Sequence, residues 1–121
     1  DGMVMIDDST RIKRFWEFPD PFSVYPNPFF INDFNQINDN GHVRFIFSNS
    51  NQHNGKIDIY DFSMDKVIHL KDSFFIGSEG KESEIIWNGK NQHGDKIANG
   101  VYFCRLSLAG KYYWTKLAVI N

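Results

Sequence analysis

Four histidines, one cysteine and fifteen carboxylates are the residues of this chain most able to do chemistry, and their spacing decides whether they do. His42, His53, His69 and His93 fall in turns or at strand ends. None stands at a ligand spacing such as His-x-x-x-His, so each reads as solvated surface. His93-Gly94-Asp95 sets an imidazole near a carboxylate, but neighbouring loop residues do this often without consequence. Cys104 lies in an alternating apolar run and reads as a small core hydrophobe rather than a nucleophile. Glu82 and Glu84 alternate at the mouth of a strand with no third group to make them an acid–base pair.

The Asn/Asp-rich stretch 32–41 invites comparison with a calcium loop. With Gly41 as the turn glycine, the first ligand position falls on Gln36 and no Glu closes the loop, so the match fails. Neither a glycine-rich phosphate loop nor a serine nucleophile elbow occurs. Phe29, Phe30, Tyr112 and Trp114 could stack on sugars if exposed, the sole basis for a carbohydrate-binding reading; cross-strand packing is the better account of them. The chain is therefore expected to be no enzyme, with no cofactor, no metal and no small-molecule substrate.

Composition narrows the rest. A net charge of −2, with only Arg11, Lys13 and Arg14 loosely grouped, makes no electrostatic case for nucleic acid. No apolar run approaches the roughly 18–20 residues of a membrane-spanning helix. One cysteine cannot form an internal disulfide and says little about compartment. Asp1 opens the chain and Met3 lacks the pattern of a signal peptide, so the sequence reads as a piece of a longer protein or a processed form. Twelve Phe, five Tyr and three Trp favour strands, while the helix-forming alanine occurs only at 98, 109 and 118.

The elements that must position these residues centre on the stretch 86–106. It reads as a strand ending at Trp87, a polar loop with Asn88-Gly89 and Gly94, a tight turn at Asn99-Gly100, and a second strand. Trp87 stands where a large side chain closes one end of a small β core. Residues 1–20 are taken as an N-terminal extension or the remnant of an upstream domain, with a possible hairpin over 1–18. Residues 21–121 form the domain proper.

Pro19, Pro21, Pro26 and Pro28 enforce an extended path and mark a boundary or a sheet edge. Residues 32–41 read as loop. Val43, Phe45 and Phe47 alternate as a half-buried strand, and 48–55 as a polar turn. Ile57 and Ile59 alternate with Lys56, Asp58 and Tyr60, and a turn at Ser63-Met64-Asp65 returns the chain through Val67 to Leu70. Phe74-Phe75-Ile76 is short and apolar, and 78–83 is loop around Gly80. Ile85 and Trp87 share one face, Glu84 and Ile86 the other. Tyr102, Cys104, Leu106 and Leu108 alternate up to Ala109-Gly110, and Tyr113, Thr115, Leu117 and Val119 alternate beyond it. This predicts an all-β, Ig-like antiparallel β-sandwich of about seven strands, the last of them built into a sheet.

The motifs also resemble a known group of Ig-like domains over about residues 24–121. Tyr25-Pro26-Asn27-Pro28-Phe29 is similar to the group's opening, and Ile57-Asp58-Ile59-Tyr60-Asp61 to its central strand. Lys66-Val67-Ile68-His69-Leu70 resembles the return strand. Trp87-Asn88-Gly89-Lys90-Asn91 through Gly94, then Ile97-Ala98-Asn99-Gly100-Val101-Tyr102-Phe103 and Arg105-Leu106, resemble the closing signature; Thr115-Lys116-Leu117-Ala118-Val119-Ile120 resembles the terminal strand. Two related families share this order: the C-terminal sorting domains of proteins exported by the type IX secretion system of Bacteroidetes, and the Ig-like domain of the flagellar hook-capping protein. The turn Phe62-Ser63-Met64-Asp65 stands where these domains usually carry a glycine, the chain ends in Asn121 rather than a basic residue, and 31–41 is longer than usual.

The sorting-domain resemblance implies a non-catalytic module at the end of a secreted cargo, recognised by outer-membrane secretion machinery and often cleaved off at the surface. It implies a secreted or cell-surface destination after passage through the periplasm, with the upstream cargo domain as the other partner. Carried over residue by residue, the sorting motif would comprise Gly100, Val101, Tyr102, Arg105, Gly110, Thr115, Lys116, Leu117 and Val119. The structural signature would comprise Pro26, Asn27, Pro28, Tyr60, Asp61, Trp87, Gly89 and Gly94. The hook-capping resemblance implies instead a structural assembly domain, or a spacer after a β-propeller-like domain.

Overall fold

The computed structural model describes residues 21–31, 36–37, 40–77 and 79–120. The hairpin expected over 1–18 lies outside the described residues. Alternation of apolar and polar side chains produces strands almost wherever it was read. In chain order they are β1 (Phe22–Tyr25), β2 (Phe29–Phe30), β3 (Gln36–Ile37), β4 (Asn40–Gly41), β5 (Val43–Ser48), β6 (Lys56–Tyr60), β7 (Lys66–Leu70), β8 (Ser73–Ile76), β9 (Glu82–Trp87), β10 (Gly100–Leu108) and β11 (Lys111–Ile120). There is no helix among the described residues.

Two sheets carry the fold, one ordered β1-β5-β9-β8 and the other β2-β11-β10-β6-β7. This is the strand order of an immunoglobulin sandwich, A-B-E-D against A′-G-F-C-C′. The all-β, Ig-like class is as the sequence predicts. The expected seven strands become nine in the two sheets, because the proline segment contributes one strand to each and Phe74 to Ile76 forms an edge. Loop expectations shift in two places. Residues 36–37 and 40–41 pair as a two-stranded sheet, and β9 begins already at Glu82.

The core lies between the sheets. Phe22, Val43, Phe45, Phe47, Ile85 and Trp87 enter from one side, and Ile57, Ile59, Cys104, Leu106, Leu117 and Val119 from the other. Phe29, one of the four aromatics weighed for sugar stacking, is wholly buried, in keeping with the packing reading preferred for it. The physical reason is that β2 runs parallel to the end of β11, with Phe29 opposite Val119, and so turns Phe29 into the core. His42, expected as solvated surface, is also buried, since it directly precedes β5 and enters the sandwich with it.

Polar groups are buried where turns need anchoring. Asn49 donates from Nδ2 to the His53 carbonyl (2.7 Å) and to Ser83 Oγ (2.9 Å), and accepts from the His53 amide (2.8 Å). This ties the 48–55 turn to β9 and satisfies a side chain that burial would otherwise leave costly.

Candidate functional site

The proline segment and the last strand, ninety residues apart in sequence, are stitched together by one side chain. Asn27 Nδ2 donates to the Lys116 carbonyl (2.8 Å), and the Ala118 amide donates to Asn27 Oδ1 (3.1 Å). An amide side chain thus supplies the donor and acceptor that a neighbouring strand would offer β11. Pro26 and Pro28 flank it, each after a cis peptide bond. Further along, the Ile31 amide donates to the Ile120 carbonyl (3.1 Å), so the edge of β11 is covered by Asn27, β2 and Ile31 in succession.

The closing signature has an equally local cause. Gly89 has φ +79°, and a Cβ there would stand 2.5 Å from Ile31 Cδ1 and 2.9 Å from Phe29 Cε2. Only glycine lets the chain leave β9 across the buried Phe29 and Ile31. Trp87 is buried at the end of β9, as its position predicted, and its Nε1 donates to the Lys90 carbonyl (2.9 Å). The Ile97 amide returns to the Gly89 carbonyl (3.0 Å), closing the loop. Asn99-Gly100 is not the tight turn expected. Gly100 is already the first residue of β10, paired with Val119, because the loop crosses from one sheet to the other instead of folding back as a hairpin.

Two turns at this end of the sandwich are built alike. In one, Asp61 Oδ1 accepts from the amides of Ser63 and Asp65 (both 2.9 Å) while the Asp61 amide donates to the Asp65 carbonyl (2.9 Å). In the other, Asn91 Oδ1 accepts from the amides of His93 (2.9 Å) and Asp95 (3.1 Å) while its own amide donates to the Asp95 carbonyl (2.8 Å). The fourth residue of each is left-handed: Gly94 at φ +87° and Met64 at φ +67°. Met64 therefore occupies the place that glycine fills in the twin, which accounts for the unusual turn Phe62-Ser63-Met64-Asp65. His93 and Asp95 serve this turn through their backbone.

Tyr102 is buried, and its hydroxyl donates back to the Ala98 carbonyl (2.7 Å). That arrangement, two residues before the buried Cys104, is the tyrosine corner of Ig-type sandwiches. Burial pushes the Cys104 thiol up to about 12, so it stays protonated and unreactive at neutral pH.

The outward face of the five-stranded sheet concentrates the remaining chemistry. Register places His69, Asp58, Arg105 and Trp114 in one row across β7, β6, β10 and β11, and Lys66, Tyr60, Phe103 and Lys116 in the next. Asp58 is buried, and Arg105, Lys66 and the His69 ring surround it. Arg105 Nη2 donates to Oδ2 (2.9 Å), His69 Nδ1 meets Oδ1 (2.6 Å), and Lys66 Nζ lies 3.4 Å away. Burial pushes the Asp58 carboxyl up, but the hydrogen bonds from His69 and Arg105 and the charge of Lys66 outweigh it and hold it below the usual carboxylate range. The Arg105 guanidinium also lies 4.7 Å from the Tyr112 ring centre, 5.6 Å from Tyr60 and 5.9 Å from Trp114. Asp58 and three aromatic rings thus fix one arginine on a sheet surface.

The residues of the expected sorting motif divide by face. Tyr102, Leu117 and Val119 are core, Thr115 faces the core opposite Cys104, and Gly110 holds the β10–β11 turn with Ala109, both at positive φ. Gly100 begins β10, while Val101, Arg105 and Lys116 point outward. Of the expected structural signature, Tyr60 lies on the outward face beside Arg105 and Asp61 opens the first twin turn. Sequence reading passed over Asp58 as an ion centre. An acidic residue at an outward position of an apolar strand, with Arg105 outward on a later one, is the signal that could have found it. Glu84 pairs with Arg44 (3.6 Å) on the opposite sheet and does not join Glu82 in any acid–base arrangement. Among the described residues no group of acidic, histidine or cysteine side chains could hold a metal ion.

Neither a family profile nor a curated protein matches this sequence. Solved structures do match its fold. One is PorZ, described as an essential bacterial surface component of the type IX secretion system of Porphyromonas gingivalis, with a TM-score of 0.54 at 20% identity. Another is dimeric latent PorU from the same organism, with a TM-score of 0.58 at 24% identity. Each alignment covers 83% of this chain but only 11% of PorZ and 9% of PorU, so the chain spans about a tenth of the proteins it resembles.

Proposed function

We propose that this chain is a non-catalytic Ig-like sorting module, read by type IX secretion machinery and carried by an upstream cargo domain. The observation that carries the reading is spatial. The opening motif around Asn27 and the terminal-strand motif Thr115 to Ile120 form one hydrogen-bonded unit, with the closing-signature glycine Gly89 packed beneath it. Motifs that resemble the sorting domains in sequence are therefore parts of one end of the sandwich. The likeness in fold to PorZ, a surface component of that secretion system, adds support. In this reading the domain travels through the periplasm to the outer membrane, and Val101, Arg105 and Lys116 are the motif side chains that a receptor can touch.

The test is a fluorescent reporter fused ahead of the 121-residue chain in a type IX-competent bacterium. Export of the reporter to the surface or medium is expected, with loss of export for Val101→Ser combined with Lys116→Glu at unchanged thermal stability. A reporter retained in the periplasm by the unaltered chain overturns the reading.

A further inference from the structure

The outward face of the five-stranded sheet is apolar at its centre and cationic at its margin. Phe62 is 75% exposed and stacks on Phe103 with ring centres 6.0 Å apart, while Trp114 and Met64 are each 51% exposed. Met64, Phe103, Trp114, Thr115 and Lys116 line a shallow groove of about 430 Å³. Its walls are almost wholly apolar, and Lys116 is the one charged residue that lines it. Exposed aromatic side chains and a methionine gathered on one face offer a partner an apolar contact surface.

Charge says what the use is. The outward positions of β6, β7, β10 and β11 carry four cations (Lys56, Lys66, Arg105 and Lys116) against the carboxylate Asp58, and Asp61 and Asp65 of the turn that supplies Phe62 and Met64 bring the net to +1, on a chain whose total is −2. Asp58 pairs with both Arg105 and Lys66 and offsets one of their two charges, so the charge left to a partner is the remaining unit of that cluster and that of Lys116, at the two ends of the aromatic row. An apolar centre rich in aromatic residues and methionine, with charged groups at the rim, is the anatomy of a protein interface. A sugar site would need polar groups converging on hydroxyls, and this groove has almost none.

We propose that this face docks an acidic protein surface, which inserts one large apolar side chain between Met64, Phe103 and Trp114 and sets carboxylates against Lys116 and Lys66. The proposal does not depend on the sorting reading, since it asks only for an acidic partner with an apolar anchor.

The test is a titration of the isotopically labelled 121-residue chain, followed by NMR amide and indole shifts. The probe is a synthetic peptide carrying Leu-Trp flanked on each side by two acidic residues. Shifts confined to Phe103, Trp114, Lys116 and their neighbours are expected, weakening with added salt. Lys116→Glu should weaken binding by about tenfold, and Trp114→Ala by about thirtyfold. Lys116 is exposed, so its variant keeps the test meaningful if Trp114→Ala fails to fold. Absent shifts, equal binding of a peptide with lysines in place of the acids, or shifts mapped to the four-stranded sheet each overturn the proposal. It also falls if an oligogalacturonate binds this face and the peptide does not, or if dilution alone moves the same signals, which would make the occupant a second copy.

Discussion

Replacing Gly89 by alanine isolates the contact on which the closing signature rests. Alanine at φ +79° incurs the left-handed backbone cost of about 1 kcal/mol. Its Cβ would also stand 2.5 Å from Ile31 Cδ1 and 2.9 Å from Phe29 Cε2, both on fully buried side chains. Forcing a methyl into such a core costs about 1–3 kcal/mol. The stiffer unfolded chain returns about 0.4–1 kcal/mol. The net expectation is a loss of about 1–3.5 kcal/mol. Gly94→Ala is the matched control, since it has nearly the same φ (+87°) and no atom within 4 Å of an added Cβ. It should lose only about 0.5 kcal/mol, the backbone cost less the unfolded-state gain.

Urea unfolding at constant m reads both. A double variant sharpens the result, because Ile31→Val removes the closest atom, Cδ1, and should recover about 1 kcal/mol of the Gly89→Ala loss as coupling between the two sites. Phe29 remains in the way, so recovery is partial. Equal losses at positions 89 and 94, or a strictly additive double variant, would refute the claim that packing on Phe29 and Ile31 selects this glycine.

Two further predictions concern acid. The Asp58 carboxyl is held below its ordinary 3.8, so its contribution is present above that value and lost as pH falls through the lower folded value. Asp58→Asn should cost about 1–3 kcal/mol at pH 7 by leaving Arg105 without its anion, and should flatten the stability curve below pH 4 in an acid-unfolding series. Burial, with the nearby Arg44 charge adding and Glu84 opposing, holds His42 below its ordinary 6.5. The fold therefore favours neutral imidazole, and stability falls as pH drops from 6.5 towards the folded value. Its buried Nδ1 has no hydrogen-bond partner among the described residues, so His42→Phe should be near neutral at pH 8 and should abolish the loss between pH 6.5 and the onset of carboxylate titration; an unchanged acid limb would contradict this.

Strands were legible because their cause is local. Val43-x-Phe45-x-Phe47 and Tyr102-x-Cys104-x-Leu106 repeat with the pleat, and burial follows that repeat residue by residue. Ala109-Gly110 turns as read, since both residues take the positive φ such a hairpin needs. What the local pattern could not specify was decided far away in the chain. Phe29 is buried by a parallel partner ninety residues on, and no period within a two-residue strand announces that. Asp58 looks like the solvated side of an alternation until Arg105, on a strand paired through the register, reaches across to it. Asn99-Gly100 has the composition of a turn, but the chain at that point is passing between sheets, so its backbone joins a ladder instead.

The same division bears on what the recognisable motif means. Its buried members, Tyr102, Leu117 and Val119, and the glycine at 89 are explained in full by the sandwich: a corner hydrogen bond, two core side chains and a close crossing. A sequence under pressure only to fold would keep them. Val101 and Lys116 have no such account, since both are exposed on paired strands where many residues would serve the fold equally well. Arg105 lies between these cases. It compensates a buried carboxylate, yet its guanidinium is held between Tyr112 and Trp114 on the same surface as Lys116. On the reading proposed above, removing Arg105 would therefore damage stability and recognition together, whereas removing Lys116 would touch recognition alone. A stable Lys116 variant is for that reason the sharper probe of whether this end of the sandwich is read by another molecule.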